Sequence, residues 1–95
     1  SKNNILKKKF IAKLNLGDLQ NFLKNKRIES KEEINLKYLK DKKIIRNKYE
    51  KLKVLGSGEL NAKLKIKTDF ISKSAKTKIE NVGGLVNILS SSDKK

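Results

Sequence analysis

Among the side chains of this sequence that are able to do chemistry, lysine dominates, and it recurs at two regular spacings. Lys63, Lys65 and Lys67 alternate with Leu64 and Ile66. An extended backbone puts those three ammonium groups on one face, about 6.5 Å apart along the strand. Cations so spaced suit a phosphate backbone lying across them. A solvated outer face of an antiparallel pair has the same pattern, and the strand alone does not choose between the two. The second spacing is helical. Ser72, Lys73, Ser74 and Lys76 open a segment whose first turn offers hydroxyls, free backbone N–H groups and positive charge. Helix N-termini attract phosphate for these reasons, although an ordinary cap with solvated lysines reads identically. Lys7, Lys8, Lys9, Arg46, Lys48 and Lys53 complete the set of candidate phosphate contacts.

No other chemistry is equipped. The sequence has neither His nor Cys, which removes the commonest general base, thiolate nucleophiles, disulfides and the usual transition-metal ligands. Its acids are scattered among lysines, and Glu32, Glu33, Glu59 and Glu80 read as local ion pairs or caps. Gly56-Ser57-Gly58 shares two glycines with a nucleotide-binding loop, but position 61 is Asn and a strand follows. Phosphate loops need a helix N-terminus at that point, so the stretch reads as a tight turn joining two strands. We expect no enzyme, no metal, no cofactor and no small-molecule substrate.

The whole chain carries 25 Lys and Arg against 10 Asp and Glu, a formal net charge of +15 over 95 residues. That length fits one small domain with a thin core. Only Arg27 and Arg46 are arginines. Lysine binds phosphate as a point charge, whereas arginine presents a fork that suits base edges, so backbone binding is favoured over sequence reading. Abundant Lys, Asn and Ile also fit an AT-rich genome. No apolar run approaches the roughly 20 residues that span a bilayer, and no signal-peptide core is visible at the start. A membrane-surface or acidic-partner binder would share the charge but lacks a long basic amphipathic helix. The opening on Ser1 reads as processing or as a fragment of a longer product.

These side chains are positioned by short alternating elements. Residues 1–9 read as the remnant of a basic arm, 10–89 as a globular domain and 90–95 as a polar tail. Phe10 to Leu16 is compatible with a strand, after which Asn15 caps a short helix with Asp18 in its first turn and Leu19, Phe22 and Leu23 on one stripe. A charged connection follows, in which Ser30 and Glu33 have capping-box spacing but no apolar helix behind them. Ile34-Asn35-Leu36 echoes Leu14-Asn15-Leu16, so Asn35 is placed to cap a second helix carrying Leu36 and Leu39. Ile44-Ile45 reads as a short strand, and Lys51 to Leu55 alternates. Beyond the glycine turn, Leu64, Ile66, Thr68 and Phe70 share a face. Ser72 caps a helix to about Val82, with Ala75, Ile79 and Val82 buried and Gly83 at its left-handed stop. Leu85 to Leu89 closes as a strand. The five aromatics, Phe10, Phe22, Tyr38, Tyr49 and Phe70, fall mostly on apolar stripes and read as core rather than as base-stacking platforms.

Taken in order, Leu14-Asn15-Leu16, Asp18-Leu19, Lys53-Val54-Leu55-Gly56-x-Gly58-Glu59-Leu60, Leu64-Lys65-Ile66-Lys67, Ser72-Lys73-Ser74-Ala75, Lys78-Ile79-Glu80 and Gly83-Gly84 resemble one family. It is the C-terminal domain of the bacterial-type large-subunit ribosomal protein L-fifteen family, over most of residues 10–89. The resemblance implies a small α/β domain, an irregular superhelix of short strands and helices. It implies a non-enzymatic place in the large ribosomal subunit, with rRNA and neighbouring ribosomal proteins as partners. The setting implied is the cytoplasmic ribosome of a bacterium, or alternatively an organellar one. A generic basic nucleic-acid module outside the ribosome is the competing reading. Members carry a long Gly- and Arg-rich N-terminal arm, which this sequence lacks, so Ser1 falls about where that arm would end.

Overall fold

The computed structural model describes residues 10–89. Among these residues, six strands and three helices follow in the order β1 (Phe10–Asn15), α1 (Leu16–Lys24), β2 (Glu33–Ile34), α2 (Leu36–Asp41), β3 (Tyr49–Leu55), β4 (Lys65–Thr68), β5 (Phe70–Ile71), α3 (Lys73–Asn81) and β6 (Leu85–Ile88). They form two three-stranded sheets, ordered β1-β3-β5 and β2-β4-β6. Every pairing is parallel. Odd strands build one sheet and even strands the other, so the chain crosses between sheets at each step. That winding fits the small α/β course that the family resemblance implies. Parallel neighbours need crossovers, and here each crossover contains a strand of the other sheet.

The local signals work as physical chemistry requires. The Asp18 carboxylate accepts from the Asn15 backbone N–H at 2.9 Å, fixing the start of α1. Asn35 Oδ1 accepts from Tyr38 N–H at 2.7 Å, and Ser72 Oγ from Ala75 N–H at 3.2 Å. The echo between residues 14–16 and 34–36 is therefore a repeated strand-to-helix step with Asn at the cap. The helices also end alike. In α3, Gly83 N–H bonds Glu80 C=O and Gly84 N–H bonds Ile79 C=O. The same pair recurs after α1, from Lys26 to Leu23 and Arg27 to Phe22, and after α2, from Lys43 to Lys40 and Ile44 to Leu39. This pair of hydrogen bonds is the Schellman stop, which needs one residue in the left-handed region. Gly83 supplies it at φ 88°, but Lys26 and Lys43 adopt it at φ 61° each.

Leu16, Leu19, Ile34, Leu39, Leu52, Val54, Leu64, Ile66 and Ile79 are buried between the sheets and helices. Thr68 and Asp69, both buried, splice one sheet to the other. The Thr68 hydroxyl lies 2.7 Å from Leu52 C=O and 2.9 Å from Phe70 C=O. Asp69 accepts from Leu52 N–H at 2.9 Å through its carboxylate and donates its own N–H to Leu52 C=O at 3.1 Å. The corner gives β3 a bonded partner before β5 begins.

Four expectations are corrected. Ile44 and Ile45 form no strand; they follow the α2 stop and pack against the core from an irregular connection. Gly56-Ser57-Gly58 does not turn one strand back on the next, because β3 and β4 lie in different sheets. Instead it threads between helix N-termini. Ser57 C=O accepts from Gly17 N–H in α1 at 3.0 Å, and a Cβ on Gly58 would stand 2.7 Å from Gly17 Cα. The face shared by Leu64, Ile66 and Thr68 does not extend to Phe70, because buried Asp69 interrupts the alternation and turns Phe70 outward. Of the aromatics, Phe22, Tyr38 and Tyr49 pack on the core, whereas Phe10 and Phe70 are exposed.

Candidate nucleic-acid interface

The lysines are displayed by the outer faces of both sheets. In β3, Leu52 and Val54 point into the core, so Lys51, Lys53 and Leu55 point out. In β1, Ala12 and Leu14 are buried, so Ile11 and Lys13 share the outward side. The parallel register sets Lys13 beside Lys53 and Lys53 beside Phe70, with Ile11 beside Lys51 in the next row. Lys51 is tied to Asp69 at 3.8 Å. In this register no acid stands across from Lys13 or Lys53, and like charges on adjacent strands repel unless an anion separates them.

The second sheet repeats the display. Lys65 lies between Glu33 and Leu85, and Lys67 beside Asn87. Ile66 and Thr68 are buried beneath them. The stem of Lys63 lies over Gly83, close enough that a Cβ there would stand 3.1 Å from Lys63 Cε. Lys63, Lys65, Lys31, Ser30 and Leu85 line a groove of about 250 Å³. The outward lysine face of this segment is thus real, but it belongs to the central strand of a parallel sheet rather than to an antiparallel pair.

At α3 the Ser72 hydroxyl is occupied as the helix cap, 3.2 Å from Ala75 N, while Lys73 and Lys76 project as exposed cations. Lys78, on the same helix, turns inward and donates to Gly56 C=O at 2.9 Å and Gly58 C=O at 3.1 Å. It holds the glycine loop and is not available as a surface cation. Arg46 lines an open depression of about 500 Å³ with Lys40, Lys43, Ile44, Ile45 and Asn47. Lys48 Nζ sits 4.8 Å from the Phe10 ring centroid and 5.4 Å from that of Tyr49. Lys7, Lys8 and Lys9 lie outside the described residues.

The structure thus brings Lys53 to Lys13, brings Lys63 and Lys65 to Lys31, and sets Arg46 beside Lys40 and Lys43. Lys13, Lys31, Lys40 and Lys43 were missed by reading the sequence. For Lys13 a signal existed, because Ile11-Ala12-Lys13-Leu14 alternates, but its neighbour across the sheet is set by register. Among the described residues no group of three or more acids stands together as a metal site, and no helix is long and apolar enough to cross a membrane.

The ribosomal protein family that includes 50S-L15, 50S-L18e and their 60S counterpart matches residues 13–87. Among individual relatives, a large ribosomal subunit protein uL15 from Pelagibacter ubique is 44% identical over 78 residues, covering 82% of this chain and 51% of the relative. The protein of the same name from Fusobacterium nucleatum is 45% identical over 65 residues, covering 68% and 41%. That from a Wolbachia of Brugia malayi is 32% identical over 87 residues, covering 92% and 56%. The chain spans about half the length of these relatives.

Proposed function

We propose a function for this chain on one premise: it belongs to the ribosomal protein family of 50S-L15, 50S-L18e and their 60S counterpart. It acts as a structural, non-enzymatic constituent of the large ribosomal subunit. It binds rRNA mainly through lysine–phosphate contacts and supports subunit assembly beside neighbouring ribosomal proteins. Residues 10–89 serve as the rRNA-binding globular domain, flanked by a basic arm remnant at 1–9 and a polar tail at 90–95. The bacterial relatives favour the cytoplasmic ribosome of a bacterium over an organellar one.

The observation that carries this reading is the outward display of Lys13, Lys53, Lys65 and Lys67 on two sheets whose inner faces hold the core. At Lys13 and Lys53, which stand side by side, a fold that needed charge only for solubility would gain from an acid in place of one of them, because like charges repel across strands. Lys63, Lys73, Lys76, Arg46 and Lys48 extend the contact set, and Ser72 acts by starting the helix that presents Lys73 and Lys76.

Binding of the chain to large-subunit rRNA fragments, followed as a function of salt, tests the reading. With six to ten phosphates engaged, affinity falls about 10³- to 10⁵-fold between 50 and 200 mM salt. A flat response sinks the phosphate mechanism. Equal competition by duplex DNA indicates a generic basic module instead. Failure of the chain, carrying its family's N-terminal arm, to sediment with large subunits removes the ribosomal assignment.

A further inference from the structure

We propose that the outward face of the sheet β1-β3-β5 is a stacking platform for an unpaired stretch of RNA. Phe70 lies under a base, and Lys13 and Lys53 hold the phosphates beside it. The proposal rests on the rRNA-binding reading and deepens it by naming the state of RNA that this face accepts.

Three observations converge on it. Phe70 is 38% exposed although it is a strand residue in register with a core-bearing strand. It is outward because Asp69, 8% exposed, takes the inward turn at the corner. A single exposed apolar side chain is ordinary, but this one ends the row Lys13–Lys53–Phe70, with Ile11 exposed in the row beside it. The row therefore sets one ring and two lysines on adjacent strands of one sheet face. Across the strands the register gives Lys13 and Lys53 no acid, and Asp69, next to Phe70, is engaged by Leu52 N–H and Lys51. The other exposed ring, Phe10, differs: it packs edge-on against Tyr49 with centroids 6.4 Å apart and lies under Lys48.

The chemistry selects the ligand. A ring on an open sheet offers a π face, and any unstacked base can cover it whatever its sequence. Bases inside an A-form duplex are already stacked, and the deep, narrow major groove keeps side chains from them. A duplex would thus use the lysines and leave Phe70 idle. An acidic protein segment would pair with the lysines but would need an apolar side chain beside its carboxylates to cover the ring, whereas every unpaired nucleotide carries a phosphate and a base together.

The sequence has no Trp, so Phe70→Trp places the one tryptophan on the platform, where it can be excited apart from the two tyrosines. Titrating that variant with an adenine-rich single-stranded RNA oligonucleotide should quench its emission, and a fully paired duplex of equal length should not. Phe70→Leu, which keeps an apolar side chain, should weaken single-strand binding about tenfold and leave duplex binding unchanged, a loss within the range of one base stack. Lys13→Gln with Lys53→Gln should lower the single-strand salt slope by about 1.4. Absence of quenching, or Phe70→Leu binding the single strand as tightly as the parent, overturns the platform. In the latter case a steep salt response of the parent leaves the phosphate reading standing. A parent chain that binds no RNA overturns both.

Discussion

Lys26 and Lys43 hold the left-handed residue of two helix stops, at φ 61° each. A lysine there bears a cost that glycine does not, since its Cβ crowds the following carbonyl oxygen. Lys26→Gly and Lys43→Gly should each stabilise the fold by about 0.5–1 kcal/mol, net of glycine's greater freedom when unfolded. Urea denaturation at fixed salt measures this, and a loss of stability in both variants would refute it. Lys43 also lines the depression with Arg46 and Lys40. If it touches phosphate, Lys43→Gly lowers the salt slope of RNA binding by about one while the fold becomes more stable. Thr68 argues the opposite way. Thr68→Val keeps the shape but removes the O–H that serves Leu52 and Phe70 carbonyls, and it should cost about 1–2 kcal/mol by the same urea measurement.

At the scale of elements, the glycine loop at 56–58 is a clamp between helices. Its carbonyls are spent on Gly17 N–H and on the Lys78 ammonium. Lys78→Met keeps a long side chain and deletes the donor, so it should destabilise by about 1–2 kcal/mol; hydrogen exchange of Gly17 and Ala75 amides should rise first, since both lie at the helix starts the loop touches. If Lys78→Met melts like the parent, the clamp carries no energy. Elements of this kind were largely legible. Asn35 and Ser72 announced their helices because a side-chain oxygen bonding a backbone N–H three residues on is a local event, and Asp18 bonding back to the Asn15 N–H is equally local. Ile44-Ile45 misled because two adjacent β-branched residues look the same in a strand and after a helix stop. Phe70 misled because period two was extended through a corner, and nothing local tells that Asp69 turns inward to bond Leu52 from a strand far along the chain.

Across the whole molecule, sheet order was the part that composition and period could not reach. Each strand pairs with the one two places on, so the neighbours of Lys53 are Lys13 and Phe70, distant in sequence. The excess of positive charge was legible because net charge is a sum, whereas the grouping of cations depends on register. Charge also sets a global expectation. With a formal net charge of +15, self-repulsion loads the compact state. The melting temperature should rise as sodium chloride increases from 10 to about 500 mM, as screening shortens the Debye length, and sulfate should raise it further. A melting temperature that falls with salt would mean that ion pairs outweigh repulsion. The alternation of strands between sheets has one more consequence, in time rather than space. During synthesis the first sheet lacks an edge until Ile71 has been added, and the second until Ile88. Such long-range pairing is slow to form. The domain therefore cannot close its fold until residue 88 has been made, and through that interval its lysines stand on an open chain.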